Sequence, residues 1–203
     1  MLLSNDIDNV ITQDAMVAFG SCFLRKDSLA VYVSTPITTG RNFLQWLRLA
    51  EGDRMSRTEN QSLSRDVFVT AKNIKEAAVL VHEVRAKYTN SVIDPTRFEN
   101  MDGWGQDDYH QFWIKVIRQL VSIIVFADGW EYSNGSTLEY VCGLENGLTL
   151  FTHDFQPLTP ELALSKLKSA VADYSEQNVK SEIMDAAIYF LEGHGKKEQV
   201  TCD

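Results

Sequence analysis

The run Val121-Ser122-Ile123-Ile124-Val125-Phe126-Ala127 limits the fold more than any other stretch of the chain. It is almost continuously apolar and lacks the alternation of a strand with one face in water. It therefore reads as a strand covered on both faces. Such strands belong to parallel sheets, whose crossover connections lay helices over both sides. The flanking sequence agrees. Leu29–Ser34, Ser91–Asp94 and Leu148–Phe151 are further short apolar runs, alternating with segments of helical spacing at 42–50, 65–88, 107–120, 159–173 and 178–192. The expected fold is a single-domain α/β structure, a flavodoxin/Rossmann-like parallel sheet flanked by helices, with extra C-terminal helices. Residues 1–28 read as an N-terminal extension with a helix over 5–19, residues 29–193 as the α/β domain and residues 194–203 as a polar tail. Residues 55–64 read as a polar loop, and 96–106, with Gly103, Trp104 and Gly105, as a mobile loop over a site.

Charge narrows the partners. The 203-residue chain carries 28 Asp and Glu against 19 Lys and Arg, a formal net charge of −9. A nucleic-acid polymer needs a basic face to neutralise its phosphates, so it is an unsuitable ligand; a nucleotide needs only a few local donors. The three cysteines, Cys22, Cys142 and Cys202, have no CxxC spacing, which argues against a disulfide framework or a zinc site and suits a reducing cytoplasm. With no metal-ligand spacing and no Gly-rich dinucleotide fingerprint, no cofactor is expected. The first residues lack a basic segment followed by an apolar core, and no run reaches the roughly 18 apolar residues of a membrane span.

Immediately after the central strand comes Asp128-Gly129-Trp130-Glu131-Tyr132-Ser133-Asn134-Gly135-Ser136-Thr137-Leu138-Glu139. A turn of Gly, Asn and Ser followed by a helix with Glu139 in its first turn gathers backbone N–H groups, hydroxyls and a carboxylate at the carboxyl end of a strand. Ligands bind at such crevices in open α/β sheets. A structural reading stands beside this one: Ser136-Thr137-Leu138-Glu139 matches a capping box, in which the serine and glutamate only satisfy helix N–H groups.

Three separated pieces resemble the nucleoside 2-deoxyribosyltransferase-like superfamily, in its branch of nucleotide N-glycosidases and uncharacterised bacterial and phage proteins. They are Val31-Tyr32-Val33-Ser34-Thr35-Pro36-Ile37-Thr38-Thr39-Gly40-Arg41, then Val92-Ile93-Asp94-Pro95, and lastly Gly129 to Glu139 followed by Cys142-Gly143-Leu144-Glu145-Asn146-Gly147. The likeness covers about residues 29–151. It implies an enzyme of nucleotide metabolism that cleaves the bond between base and sugar. Glu139 would be the nucleophile that captures an oxocarbenium-like centre, with Tyr32 orienting its carboxylate. The transferases of the family that act on free nucleosides typically have aspartate six residues before this glutamate, and the nucleotide hydrolases resemble this chain in having Ser133. A hydroxyl can donate to a 5′-phosphate that a carboxylate would repel. Ser34, Thr35, Thr38, Thr39, Gly40, Gly135 and Ser136 supply further donors, and Arg41 is the strong local cation. Taken apart from the resemblance, Tyr32 is an ordinary strand aromatic, and Thr38-Thr39-Gly40 a turn that caps a helix.

In one respect the chain departs from the family. An aspartate usually precedes the central strand by about eight residues, and here that position is Ile114. Asp94, Asp107, Asp108 and His110 are the candidates to replace it. Trp104 and Tyr109 are candidates for stacking on a base, with Phe112 and Trp113 on the same helix equally suited to packing. His82, His153 and His194 read as surface or packing groups. The reading is thus an N-glycosidase of a nucleoside 5′-monophosphate. Its alternatives are a transferase moving a sugar between bases, a silent nucleotide sensor, and an NAD-cleaving or cytokinin-activating glycosidase whose further signatures are missing. A homodimer or higher homo-oligomer is expected by resemblance.

Overall fold

The structure, a computed structural model, describes residues 2–22, 29–52, 66–98 and 100–200. The loop expected at 55–64 lies outside them. Four parallel strands, β1 (Ala30–Ser34), β2 (Val92–Ile93), β3 (Val121–Phe126) and β4 (Thr149–Phe151), form one sheet in the order β2-β1-β3-β4. This is the flavodoxin/Rossmann-like α/β arrangement. The chain adds β2 on one side of β1 and then crosses to add β3 on the other, which opens a crevice at the carboxyl ends of β1 and β3. The register sets Tyr32 beside Ile124 and Ser34 beside Phe126.

The helices are α1 (Leu2–Ser21), α2 (Arg41–Gly52), α3 (Ala71–Lys87), α4 (Gln106–Leu120), α5 (Asn134–Glu145), α6 (Pro160–Glu176) and α7 (Glu182–Val200). α6 begins where Thr159 accepts from the Leu162 N–H and Pro160 takes the first helical position, where its missing N–H costs nothing. A π-helical turn, Asp66–Thr70, leads into α3. The helix expected over 5–19 is longer, and β2 is held to two residues because Pro95 cannot continue it. None of the described helices is long and apolar enough to cross a membrane.

Strand alternation separates two cores. Val31, Val33 and Val125 point to one face, where Leu80, Val81 and Val84 of α3 cover them. Tyr32, Ile124, Phe126 and Leu150 point to the other, against α4, α5, α6 and α7. On this second face α1 packs along α4, inserting Val17 into the core. It also ties itself down with polar contacts: Gln13 Nε2 donates to the Asp108 carbonyl at 3.2 Å, and Lys115 Nζ meets Asp14 at 2.6 Å.

Candidate active site

Two loops meet at the crevice, and glycines let them approach. Gly40 has φ +88°, and a Cβ there would lie 2.6 Å from the Pro36 ring; its N–H donates to the Tyr132 carbonyl at 3.1 Å. Gly129, at φ +77°, similarly leaves room for Arg41, whose Cβ a methyl group would approach to 2.9 Å. A 3₁₀ turn over Trp130–Tyr132 then delivers the chain to α5.

α5 begins three residues earlier than its sequence suggests. Ser133 is the cap, with extended backbone and its Oγ accepting from the Ser136 N–H at 3.4 Å. The capping box between Ser136 and Glu139 is not formed. Glu139 sits in the second turn instead, and its carboxylate turns toward the sheet. Tyr32 donates to Oε1 at 2.6 Å and Ser34 to Oε2 at 2.5 Å. Both donors come from one face of β1, two residues apart, which is the repeat of a strand. Burial lifts the Glu139 carboxyl from 4.5 to about 7, while the Ser34 and Tyr32 hydroxyls pull in the opposite direction by favouring the charged form. The Tyr32 phenol is in turn pushed well above its ordinary range, first by burial and then by the Glu139 charge.

Glu139 lies on the floor of a cleft of about 590 Å³. Phe98, Trp104, Tyr109 and Trp113 form one wall, with Trp104 edge-on to Tyr109 at 5.1 Å and Trp113 edge-on to Tyr32 at 5.8 Å. Thr35, Thr38, Thr39, Ser133, Gly135 and Ser136 also line the cleft. The hydroxyls of Thr35 and Ser136 are buried without a hydrogen-bond partner in the protein. Buried hydroxyls left this way cost free energy unless a bound molecule or water satisfies them.

No protein-family model matches this chain, and neither does any curated protein or solved structure.

The geometry of the site unites most of the residues singled out in the sequence and separates a few. Tyr32, Ser34 and Glu139 make one hydrogen-bonded unit, so Ser34 is committed to the carboxylate rather than to a substrate phosphate. Thr35, Thr38, Ser133, Gly135, Ser136, Trp104 and Tyr109 all line the cleft. Arg41 does not. As the first residue of α2 it pairs through both terminal nitrogens with Asp128, lies 3.7 Å from Glu131, and faces a separate cleft shared with Asn42, Asn73 and His153. Gly40 is likewise a hinge of the backbone rather than a lining residue. Asp94 is spent on its own turn, accepting from the Thr96 N–H at 3.1 Å and the Thr96 hydroxyl at 2.6 Å. Ile114 packs against the core, and nothing about it replaces an acid. Phe98, which sequence reading passed over, lines the cleft and stacks on Phe112 at 5.0 Å. Its signal was an apolar ring within a segment otherwise too polar to fold by itself. His110 faces the cleft too, half-buried, with burial lowering its pKa and Asp107 opposing the shift.

Proposed function

We propose that the protein is an N-glycosidase that hydrolyses the base–sugar bond of a nucleoside 5′-monophosphate. The observation that carries the reading is the Glu139 carboxylate, pinned at both oxygens by Tyr32 and Ser34 beneath an aromatic-walled cleft. A carboxylate held still in a desolvated pocket suits attack on an anomeric carbon, since the positive charge developing there gains most where water is absent. In this reading Glu139 takes the sugar and water releases it. The base stacks on Trp104 and Tyr109, and the phosphate meets the hydroxyls of Thr38, Thr39, Ser133 and Ser136 with the first N–H groups of α5. Trp104→Ala should raise KM roughly tenfold with little change in kcat, the loss expected for one stacking ring and checked by steady-state kinetics.

One observation favours a second reading. Among the described residues that line the cleft none is Lys or Arg. A pocket of hydroxyls also suits an uncharged nucleoside, with a free base as the acceptor in a transferase reaction. Incubation with a panel of nucleosides and their 5′-monophosphates, with free base followed by chromatography, separates the two. A higher kcat/KM for the monophosphates supports the first reading, and a higher value for the nucleosides the second. Base release that persists in Glu139→Ala rules out Glu139 as nucleophile under either. Saturable thermal stabilisation by a nucleotide with no base release would make the protein a binding module.

A further inference from the structure

Departure of a nucleobase needs a proton, and the position where the resemblance would place an aspartate is Ile114, which packs against the core. Four ionisable groups stand near enough in sequence to replace it, and their surroundings separate them. Asp94 is held by Thr96. Asp108 caps α4, accepting from the Gly105 N–H at 2.8 Å, and its other oxygen takes a hydrogen bond from Asn9 at 3.2 Å. Asp107 is exposed and, like Asp94 and Asp108, does not line the cleft. His110 alone of the four does.

The placement of His110 is specific. It is four residues, one helical turn, before Ile114 on α4, so the two share one side of that helix. Its imidazole rests over the first turn of α5, where a Cβ on Gly135 would lie 3.5 Å from Nε2. Gly135 is in turn four residues before Glu139, which puts the two Cα atoms about 6 Å apart along one helix face. His110 also follows Tyr109 on α4 and lines the same cleft, so a sugar over Glu139 with its base on the aromatic wall would have the imidazole on the α4 side of the bond. Among the described residues no side-chain hydrogen bond occupies the imidazole.

We propose that His110 is the acid and base of the glycosidase reaction, acting on the base side of the bond that Glu139 attacks. The inference rests on the glycosidase reading given above. In the first step a Glu139 oxygen bonds to the anomeric carbon as the carbon–nitrogen bond breaks. The electron pair of that bond stays with the base, which takes the imidazolium proton. In the second step a water oxygen bonds to the anomeric carbon, the ester to Glu139 breaks with its electron pair returning to the carboxylate, and the water proton passes to the neutral imidazole. The sum is hydrolysis, with His110 and Glu139 restored.

The test compares leaving groups in wild type, His110→Gln and Glu139→Gln. The ordinary nucleotide is paired with an analogue whose base departs without a proton, an N7-methylated purine or, for a pyrimidine enzyme, a 5-fluorinated base. Loss of a proton donor should cost His110→Gln about 10²–10⁴ in kcat/KM on the ordinary substrate and less than about tenfold on the activated one. Activity on the activated substrate also shows that the variant is folded. Equal losses on both substrates, or a loss under about threefold on the ordinary one, overturn the role of His110 while leaving the glycosidase reading intact. If Glu139→Gln retains full activity the nucleophile falls, and if wild type releases no base from any substrate both readings fall together.

Discussion

Glu139→Gln should remove at least about 10³ of kcat/KM and, in the same change, make the protein more stable above neutral pH. On the glycosidase reading, the first effect follows from replacing the attacking oxygen with an amide. The second follows from the cost of holding a carboxylate in a dry site. Burial raises the Glu139 carboxyl from 4.5 to about 7 in the folded chain, against the opposing pull of Ser34 and Tyr32. A folded pKa above the unfolded one means that the native state binds the proton more tightly. The associated stability is complete below the unfolded value near 4.5 and is lost as pH rises through about 7. At higher pH the loss is about 3 kcal/mol. Glutamine has no charge to desolvate, and the freely rotating Ser34 hydroxyl can accept from its N–H. Unfolding of the two proteins should therefore coincide near pH 4 and diverge above pH 7, with Glu139→Gln melting higher. Identical melting curves at pH 8 would show that the carboxylate carries no such burden.

The second large effect is expected from removing both donors at once. In Tyr32→Phe with Ser34→Ala the carboxylate keeps its burial and loses the two hydrogen bonds that favour its charged form. Hydrogen bonds to a charged group contribute about 1.5–3 kcal/mol each, and the double variant should lose about 10²–10³ in turnover at pH 7. The cause would be visible directly. The carboxyl carbon of Glu139, followed by ¹³C NMR, should titrate above its wild-type midpoint of about 7. A midpoint that stays in place, or falls, would mean that the hydroxyls do not hold the charge. The single variants should fall between, and their sum should differ from the double change because both bonds end on one group.

Much of this site was legible because its geometry is set by strand and helix periods. Tyr32 and Ser34 alternate with Val31 and Val33, so a strand over these residues commits both hydroxyls to one face. The run from Val121 to Ala127 fixes the neighbouring strand that carries the chain to Glu139. The start of α5 was misread because two serines offer the same cap: Ser133 and Ser136 each stand three residues before a polar side chain or N–H. The choice is made by the backbone of Ser133, extended at φ −120° and ψ 124°, which no local motif encodes. Arg41 fails for a different reason. Its charge and its place at a helix start were correct, but Asp128, 87 residues further along the chain, folds back and takes the guanidinium. Asp94 is similar in kind, since a carboxylate followed by Pro and Thr closes a turn on itself as readily as it faces a ligand.

The helix α1 falls in the part of the chain that no resemblance reaches, yet it lies directly behind the wall that would meet a base. Its contacts with Asp108 and Lys115 bracket Tyr109, His110 and Trp113 on α4. Because α1 holds the far side of α4 at both points, a substitution that repacks α1 is expected to shift the part of the wall that α4 carries, Tyr109 and Trp113. The width of the slot for a flat ring can thus be adjusted by residues that never touch the ring.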